Sequence, residues 1–523
     1  MNLKSIPFCE KTIAEVFFEN TLKNGTRMAY QYDNVFWSWN QINLASEIMA
    51  DELKTMGVER GTKVGIWSPN SINYVIAFFA IQKLNAVAVL MNTNYRSDEL
   101  EDVIKIADVQ YLCCGSCPAV MENPGFLKEL IKSEDVPLKR ALNISAENDY
   151  LRRLKEYVFL DFEYIRSEED SCQDVACILF TSGSTAKPKA VQLTHRNVLN
   201  TAEESGLCYH LSEKDSICMS LPLFHCFGIV FCILSALVTG AVIHITKSTR
   251  TAEVLQTIDT YKCTIFHAVP TLMLAVINNR SFNEYSTSQV RTSVLAGAPV
   301  APSQLKKIVE AFPNNHFMNA YGQTESSPTL SITAYGDSFE HISETIGKPL
   351  ARIDVKIADT GTGDFLEPGG VGEVIAKGYN IMKAYMGLPP ELQAVDENGW
   401  LHTGDLGMFD GDGYIRLKGR IKELIIRGGE NISPIEVENA ICEYDDVLSC
   451  KVIGAPHEFL GEEVVACIEL KKRNKYSEES LRKHLLERLA EYKVPSRIII
   501  YDSLPMTANG KIDAKLLKAQ VSS

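Results

Sequence analysis

Positive charge is what the sequence lacks most: 52 Lys and Arg stand against 66 Asp and Glu, a formal net charge of −14. Binding a nucleic-acid backbone needs a basic face that displaces counterions, so no nucleic-acid partner is expected. A single nucleotide would have to be held by local donors and a metal ion, against the mean field of the protein. Zinc-type spacing is missing as well. The 14 cysteines are scattered, and the tightest group, Cys113, Cys114 and Cys117, has no second Cys or His pair nearby. They read as reduced thiols of the core. The first residues, MNLKSIPFCEKTIAEVFF, have no basic stretch leading into an unbroken apolar run, and Glu10 and Glu15 oppose a transit peptide. A cytoplasmic location is therefore expected. Phe227 to Ile245 comes nearest to membrane length, but Gly240 splits it into a buried-helix segment and the strand AVIHI. No membrane span is expected, and neither an internal repeat nor a low-complexity linker is present.

What is there is ordinary globular material. With 46% hydrophobic and 23% charged residues over 523 positions, the chain should hold two to four compact units. From Lys63, short apolar runs (KVGIWS, AVAVLMN, VQYLCC) alternate with longer helical patterns (NSINYVIAFFAIQKLN, SDELEDVIKIAD). That is the βαβ pattern of a parallel sheet with covering helices. It recurs at CTIFHAV, TSVLAG and HFMNAYG. Ligands in such sheets bind beyond the carboxyl ends of the strands, so chemistry should collect there. After Arg420 comes a second α/β pattern of about a hundred residues, a size that can fold alone. The spacing predicts a helix from Ser433, with Ser433 as cap, Pro434 in the first turn and Glu436 returning the hydrogen bond. The Gly- and Asp-rich segment 396–414 reads as a run of tight turns. The expected fold is α/β, with a large N-terminal domain (1–420) of parallel-rich sheets covered by helices and a small C-terminal α/β domain (421–523).

Four segments carry chemistry. In ILFTSGSTAKPKAVQLTHRN (178–197), an apolar strand runs into hydroxyls, Gly and lysines. Thr181, Ser182, Gly183, Ser184, Thr185 and Lys189 could converge on phosphate oxygens as the donors of a nest do. The spacing G-x-x-x-x-G-K-[ST] is missing, which disfavours ordinary P-loop hydrolysis, and a solvated hairpin turn fits the composition equally well. In YGQTES, Glu325 follows an apolar strand, where a carboxylate can hold a magnesium ion or merely cap a helix. In HTGD, Asp405 has two oxygens suited to two ribose hydroxyls, or serves only to form a turn. Lys511, in an NGK turn near the C-terminus, would ordinarily be solvated.

These segments, YGQTESSP, GWLHTGDLG, GRIKELIIRGGENISPIEVE and PMTANGKIDAK, arrive in one order over nearly the whole chain. In this the sequence resembles the superfamily of acyl-CoA synthetases, peptide-synthetase adenylation domains and firefly-type luciferases. The resemblance implies an acid–thiol ligase that uses ATP, Mg2+ and coenzyme A. It implies a phosphate loop at 181–189, Glu325 as metal ligand, Thr324 and Gly322 at the α-phosphate, and Asn319 and Tyr321 along the adenine. It places Asp405 and Arg420 at the ribose and Lys511 on the reacting phosphoryl group. It further implies that the small domain is mobile, turning about Lys422 to present Gly429, Glu430 and Asn431 to coenzyme A.

The acid is read from LPLFHCFG. Amino-acid-activating relatives place an Asp there, whereas this chain has His225, so an α-ammonium would be left unpaired. Phe224, His225, Cys226, Phe227, Gly228 and Ala296, Gly297, Ala298 are candidates for an apolar pocket, or are plain core. The texture looks most like medium-chain fatty acyl-CoA ligases; an aryl acid is the near alternative. A carrier protein in place of coenzyme A, a luciferase-like oxygenase and a non-catalytic nucleotide-binding regulator are the rivals. The last would be expected to have lost Lys511 or Glu325, and both are present. The oligomeric state is left as monomer or homodimer.

Ala186 and Ala190 stand where relatives commonly have Gly. If the loop needs a left-handed backbone at Ala186, the Cβ opposes it by about 1 kcal/mol. Ala186→Gly is then expected to lower the KM for ATP in a pyrophosphate-release assay, and an unchanged KM would show an ordinary backbone there.

Overall fold

The computed structural model describes residues 3–123, 125–145, 150, 169–181, 188–471, 476–507 and 511–522. Two large sheets stand at its centre. The seven-stranded sheet runs Ala384–Tyr385, Lys189–Thr194, Val175–Thr181, Val87–Leu90, Lys63–Trp67, Tyr111–Cys114 and Arg140–Asn143 in spatial order. Its last five strands are parallel and its first three antiparallel. The nine-stranded sheet has a parallel centre running from His316–Tyr321 through Thr292–Ala296, Ile265–Phe266, Ser216–Met219 and Val242–Ile245 to Met28–Tyr32. Short antiparallel strands close both edges. Each alternation seen between residues 63 and 114 becomes a strand or a helix at its expected place, because the strands are buried on both faces and read as continuous apolar runs. The helix Ile72–Lys83 shows the same enclosure: every residue up to Gln82 is buried.

The apolar stretch 226–245 folds within this core. Cys226–Gly228 opens as α-helix, Ile229–Leu234 widens into a π-helical turn, and Ser235–Thr239 closes as α-helix. Gly240 ends it at φ 80°, and Val242–Ile245 follows as a strand. Among the described residues no helix is long and apolar enough to cross a membrane. Twelve cysteines are buried and two half-buried, all with free thiols.

Two readings need correction. Segment 396–414 is not a run of turns: Leu401–Phe409 is a nine-residue strand, flanked by turns, in an all-antiparallel four-stranded sheet with Ile353–Ala358, Gly372–Gly378 and Ile415–Arg420. Buried residues alternate along it and pack with Leu401 and Val374, and this cross-strand burial outweighs the turn preference of its glycines and aspartates. Ser433 does begin the helix Pro434–Cys442, but its side chain makes no capping hydrogen bond. Glu436 is drawn instead to Lys493 Nζ at 2.7 Å.

Residues 425–501 build a five-stranded sheet of their own around the hairpin pair Val447–His457 and Gly461–Leu470. Its core is separate except for Ala301, which reaches into it from the large unit. Ser303 Oγ donates to Cys442 O at 2.8 Å and Gln304 Nε2 to Leu448 O at 2.9 Å across the same face.

The four-stranded sheet is tied to the large sheets through a buried charge. Arg352 Nε donates to Glu204 at 2.9 Å, with the two side chains 4% and 1% exposed. Glu204 also accepts from Tyr379 Oη at 2.8 Å and from the Ala351 N–H. Losing one partner leaves the other charge buried and unpaired, which costs about 3–5 kcal/mol. Arg352→Met is therefore expected to lower the thermal midpoint sharply, whereas Lys11→Met, removing the ammonium of the exposed pair with Glu19, should scarcely move it.

Candidate active site

The motif residues converge where the strands of the two large sheets end. Val175–Thr181 leads into the proposed phosphate loop. Ser182, Gly183, Ser184, Thr185, Ala186 and Lys187 lie outside the described residues. At the strand's last position the Oγ1 of Thr181 is buried and has no hydrogen-bond partner among the described residues. A buried hydroxyl with no partner is costly, so an acceptor at this point would be welcome. Across the hairpin, Lys189 pairs with Thr181 in register and lays its ammonium 4.4 Å from the ring centre of Tyr385. Ala190 is an ordinary buried strand residue.

Tyr385 in turn holds the motif carboxylate: its Oη donates to Glu325 Oε1 at 2.7 Å, and Glu325 is only 6% exposed. Burial and the Glu325 charge together hold the Tyr385 phenol protonated, so it remains a donor. Gly322, three residues before Glu325, cannot be larger, because a Cβ there would stand 1.9 Å from Pro328 O. The chain folds back on itself at this turn and so brings Thr324 beneath Cys226, with Oγ1 3.9 Å from Sγ. Two buried oxygen functions, the Thr324 hydroxyl and the Glu325 carboxylate, are thereby fixed on one short 3₁₀ turn, Thr324–Ser326.

Asp405 lies in the middle of Leu401–Phe409, opposite Arg420 in the antiparallel register. Its carboxylate takes a hydrogen bond from Tyr321 Oη at 2.6 Å and faces Arg420 Nε at 2.9 Å. Burial raises the Asp405 pKa, while Arg420 and Tyr321 pull against that rise. The order of causes matters: desolvation is the largest. Asn319 donates from Nδ2 to Thr345 O at 2.8 Å, so its amide is engaged in holding the loop before Lys348.

Lys511 is brought to the same place from the C-terminal sheet's side of the molecule. Its Cε lies 3.5 Å from where a Cβ on Gly297 would stand. Lys511 is half-buried, and burial and the charge of Arg420 lower the pKa of its ammonium. Among the described residues no carboxylate stands within ion-pair distance of it; Asp405 and Glu423 act only from farther away. The same ammonium reaches His225, whose ring is pushed down to about 3 by burial and by Lys511, and is therefore neutral. His225 Nδ1 accepts the N–H of Phe227 at 3.2 Å, which leaves its proton on Nε2. Burial raises the neighbouring Cys226 thiol to about 12, so it is an inert neighbour at neutral pH.

Not every candidate is in this cluster. Lys422, Gly429, Glu430 and Asn431 are exposed, the last three on the hairpin Ile425–Arg427 to Glu430–Ile432. Its turn needs the two glycines, with Gly428 at φ 60° and Gly429 at φ 91°. A cavity of about 540 Å³ lined by His210, Tyr335 and Lys348 lies elsewhere, beside His316 at the amino end of the strand that carries Tyr321 at its carboxyl end. It contains none of the motif residues. Tyr385 escaped the sequence reading altogether, since nothing in its spacing ties it to Glu325, 60 residues away.

The donor set fits ATP and a divalent ion: among the described residues Thr181 offers a hydroxyl without a hydrogen-bond partner, Lys511 an ammonium without a carboxylate at ion-pair distance, and Glu325 a buried carboxylate. Arg420→Gln takes away a charge that lowers the Asp405 pKa, so that pKa rises further. Nucleotide binding that needs the Asp405 anion is then lost earlier as pH falls. The acid limb of the kcat/KM profile for ATP should move to higher pH in Arg420→Gln and stay near the parent's in Arg420→Lys; an unmoved limb in the Gln variant would remove Asp405 from that role.

Comparison with known proteins bears on this arrangement. The family model described as AMP-binding enzyme matches residues 17–386, and that of the AMP-binding enzyme C-terminal domain matches 436–511. The putative acyl-CoA synthetase YngI of Bacillus subtilis is 34% identical over 94% of this chain and 93% of its own length. The mitochondrial medium-chain acyl-CoA ligase ACSF2 of Bos taurus is 28% identical over 94% of this chain and 84% of its own. Among solved structures, the o-succinylbenzoate CoA synthetase MenE of Bacillus subtilis, in complex with its acyl-adenylate intermediate, superposes with a TM-score of 0.83 at 27% identity, covering 98% of this chain and 99% of its own. The chain belongs to the AMP-binding enzyme family, and with it to the adenylate-forming superfamily whose motif order it carries.

Proposed function

We propose that this chain, an AMP-forming acid–thiol ligase, activates a medium-chain fatty acid as its acyl-adenylate with release of pyrophosphate and then transfers the acyl group to coenzyme A. The observation that carries the reading is the Lys511 ammonium, half-buried among the motif residues with no carboxylate at ion-pair distance among the described residues. A cation so placed is stabilised by an anion brought from outside, and a triphosphate undergoing attack at the α-phosphorus is one.

The residues then divide the work. Asp405, braced by Tyr321 and Arg420, accepts from the ribose hydroxyls, and Asn319 borders the base. Thr181 and the loop after it take the phosphate oxygens. Glu325, oriented by Tyr385, would hold Mg2+, which supplies charge neutralisation between phosphate oxygens. Lys511, with Thr324, stabilises the charge that develops as the acid's oxygen adds to the α-phosphorus and pyrophosphate leaves in line. His225, neutral, offers an Nε2–H without adding a charge to the acyl side.

The thioester step needs the space that Lys511 fills. In this reading the domain boundary lies at 420/421, the small domain turns about Lys422, and the exposed Gly429, Glu430 and Asn431 come to face coenzyme A. ACSF2, the mitochondrial medium-chain acyl-CoA ligase, supports the chain-length assignment. MenE, an o-succinylbenzoate CoA synthetase captured with its acyl-adenylate, supports the two-step route and favours a second reading in which the acid is aromatic. A graded panel of fatty and aryl acids assayed with coenzyme A distinguishes the two, and substitution of a carrier protein for coenzyme A tests the acceptor.

Lys511→Ala is expected to reduce acid-dependent pyrophosphate release by about two to three orders of magnitude, the scale of losing one preorganised donor. Conversion of supplied acyl-adenylate to thioester should continue. Equal loss of both half-reactions would sink the alternating scheme.

A further inference from the structure

His267 lies between the two segments that flank the Lys511 ammonium. The strand Ile265–Phe266 ends one residue before it, and the parallel ladder to Thr292–Ala296 continues through the Ala268 N–H, which donates to Val294 O at 3.2 Å. The Val294 N–H departs from the ladder and donates to Nδ1 of His267 at 3.0 Å. Nδ1 is thus an acceptor, and the ring's proton is on Nε2. Nε2 is buried with no hydrogen-bond partner, and the whole residue is 1% exposed. Burial and the charge of Arg291 keep the ring neutral, pushed down to about 3.

The surroundings are aromatic. Tyr209 and Phe231 meet the imidazole edge-on, at centroid distances of 4.7 and 5.1 Å, and Phe227 lies at 6.3 Å. The hydroxyl of Tyr209 is already donated to Phe231 O, at 3.2 Å. Phe227 belongs to the same short helix as Cys226, which adjoins Thr324. Two residues beyond His267, Val269 Cγ1 is 3.4 Å from where a Gly297 Cβ would stand, on the side that Lys511 Cε also approaches. His267 therefore stands at the carboxyl end of a strand lying between the two segments read as the acyl pocket, with its Nε2–H among aromatic side chains. Leaving such a donor unpaired is costly, and a ligand acceptor can recover the loss.

We propose that His267 is a specificity-determining residue whose Nε2–H donates to an uncharged oxygen carried on the acyl chain, so that the enzyme prefers hydroxy or oxo acids of medium length to the plain hydrocarbon acid. A second carboxylate is not the partner, because a neutral imidazole in an aromatic wall would leave that charge uncompensated. The proposal rests on the reading of this site as that of an acyl-activating ligase and refines its substrate class.

The test uses the full chain with ATP, Mg2+ and coenzyme A, and compares octanoate with the series of oxo-octanoates carrying the ketone at each position from 4 to 7. At least one isomer is expected to exceed octanoate in kcat/KM by about tenfold, the equivalent of one recovered hydrogen bond. In His267→Phe the ratio of kcat/KM for that isomer over octanoate should fall to about one, while His267→Gln, which retains an N–H donor, should restore part of the preference. Wild-type enzyme that prefers octanoate to every oxo isomer overturns the proposal without recourse to any variant. So does a Phe variant that loses both acids equally, since His267 would then serve the shape of the wall and not an oxygen on the chain. Turnover of octanoate without an oxygen preference sinks this proposal alone; no turnover of any acid sinks the ligase reading, and the proposal with it.

Discussion

An ammonium group taken out of water gives up several kcal/mol of hydration, and it persists in a protein interior only where something nearby offsets the loss. Lys511 is held part of the way into that condition, half-buried against the Gly297 turn, with its pKa lowered and, among the described residues, no carboxylate within ion-pair distance. The rest of the site is arranged around this imbalance. Asp405 is kept from Lys511 by its own engagement with Arg420 and Tyr321. Glu325 is engaged by Tyr385. Both carboxylates are satisfied locally, and the cation is left to what enters from outside.

The contacts that hold these groups are mostly made by residues with no chemical role of their own. Lys189 lies on the face of Tyr385, Tyr385 holds Glu325, and the Met382 N–H donates to Glu325 O, so the strand Ala384–Tyr385 works as a brace for the motif carboxylate. The Glu204–Arg352–Tyr379 cluster does the same at a larger scale, fastening the four-stranded sheet, and so Asp405, to the helix His195–Cys208 of the main body. The His267 ring is oriented by the backbone N–H of Val294 rather than by another side chain, so its Nε2–H has a fixed direction.

How far this was legible in the sequence depended on whether the cause was local. The central parallel strands could be read because burial on both faces makes them continuous apolar runs, and the helix of Phe227 to Ile245 ended at Gly240 because only Gly takes φ 80° there without strain. The strand Leu401–Phe409 was read as turns because its glycines and aspartates carry a local preference that cross-strand packing overrides. Ser433 met the local pattern of a cap, yet its partner Glu436 found a stronger attraction in Lys493, 57 residues away. Tyr385 and His267 had no local signal at all: one matters through Glu325, the other through Val294.

The order of the motifs, with Glu325, Asp405 and Lys511 each in its segment, was determined by the sequence alone and was enough to point to the family, since chemistry of this kind requires particular residue types at the ends of particular elements. Which of those groups is left unsatisfied was decided only by the tertiary structure. A carboxylate is neutralised, or a donor orphaned, by atoms that the chain brings together from far apart. Charge balance and hydrogen-bond pairing are sums over space rather than over sequence, and for that reason the cation of Lys511, the hydroxyl of Thr181 and the Nε2–H of His267, each without a partner among the described residues, became visible only in the fold.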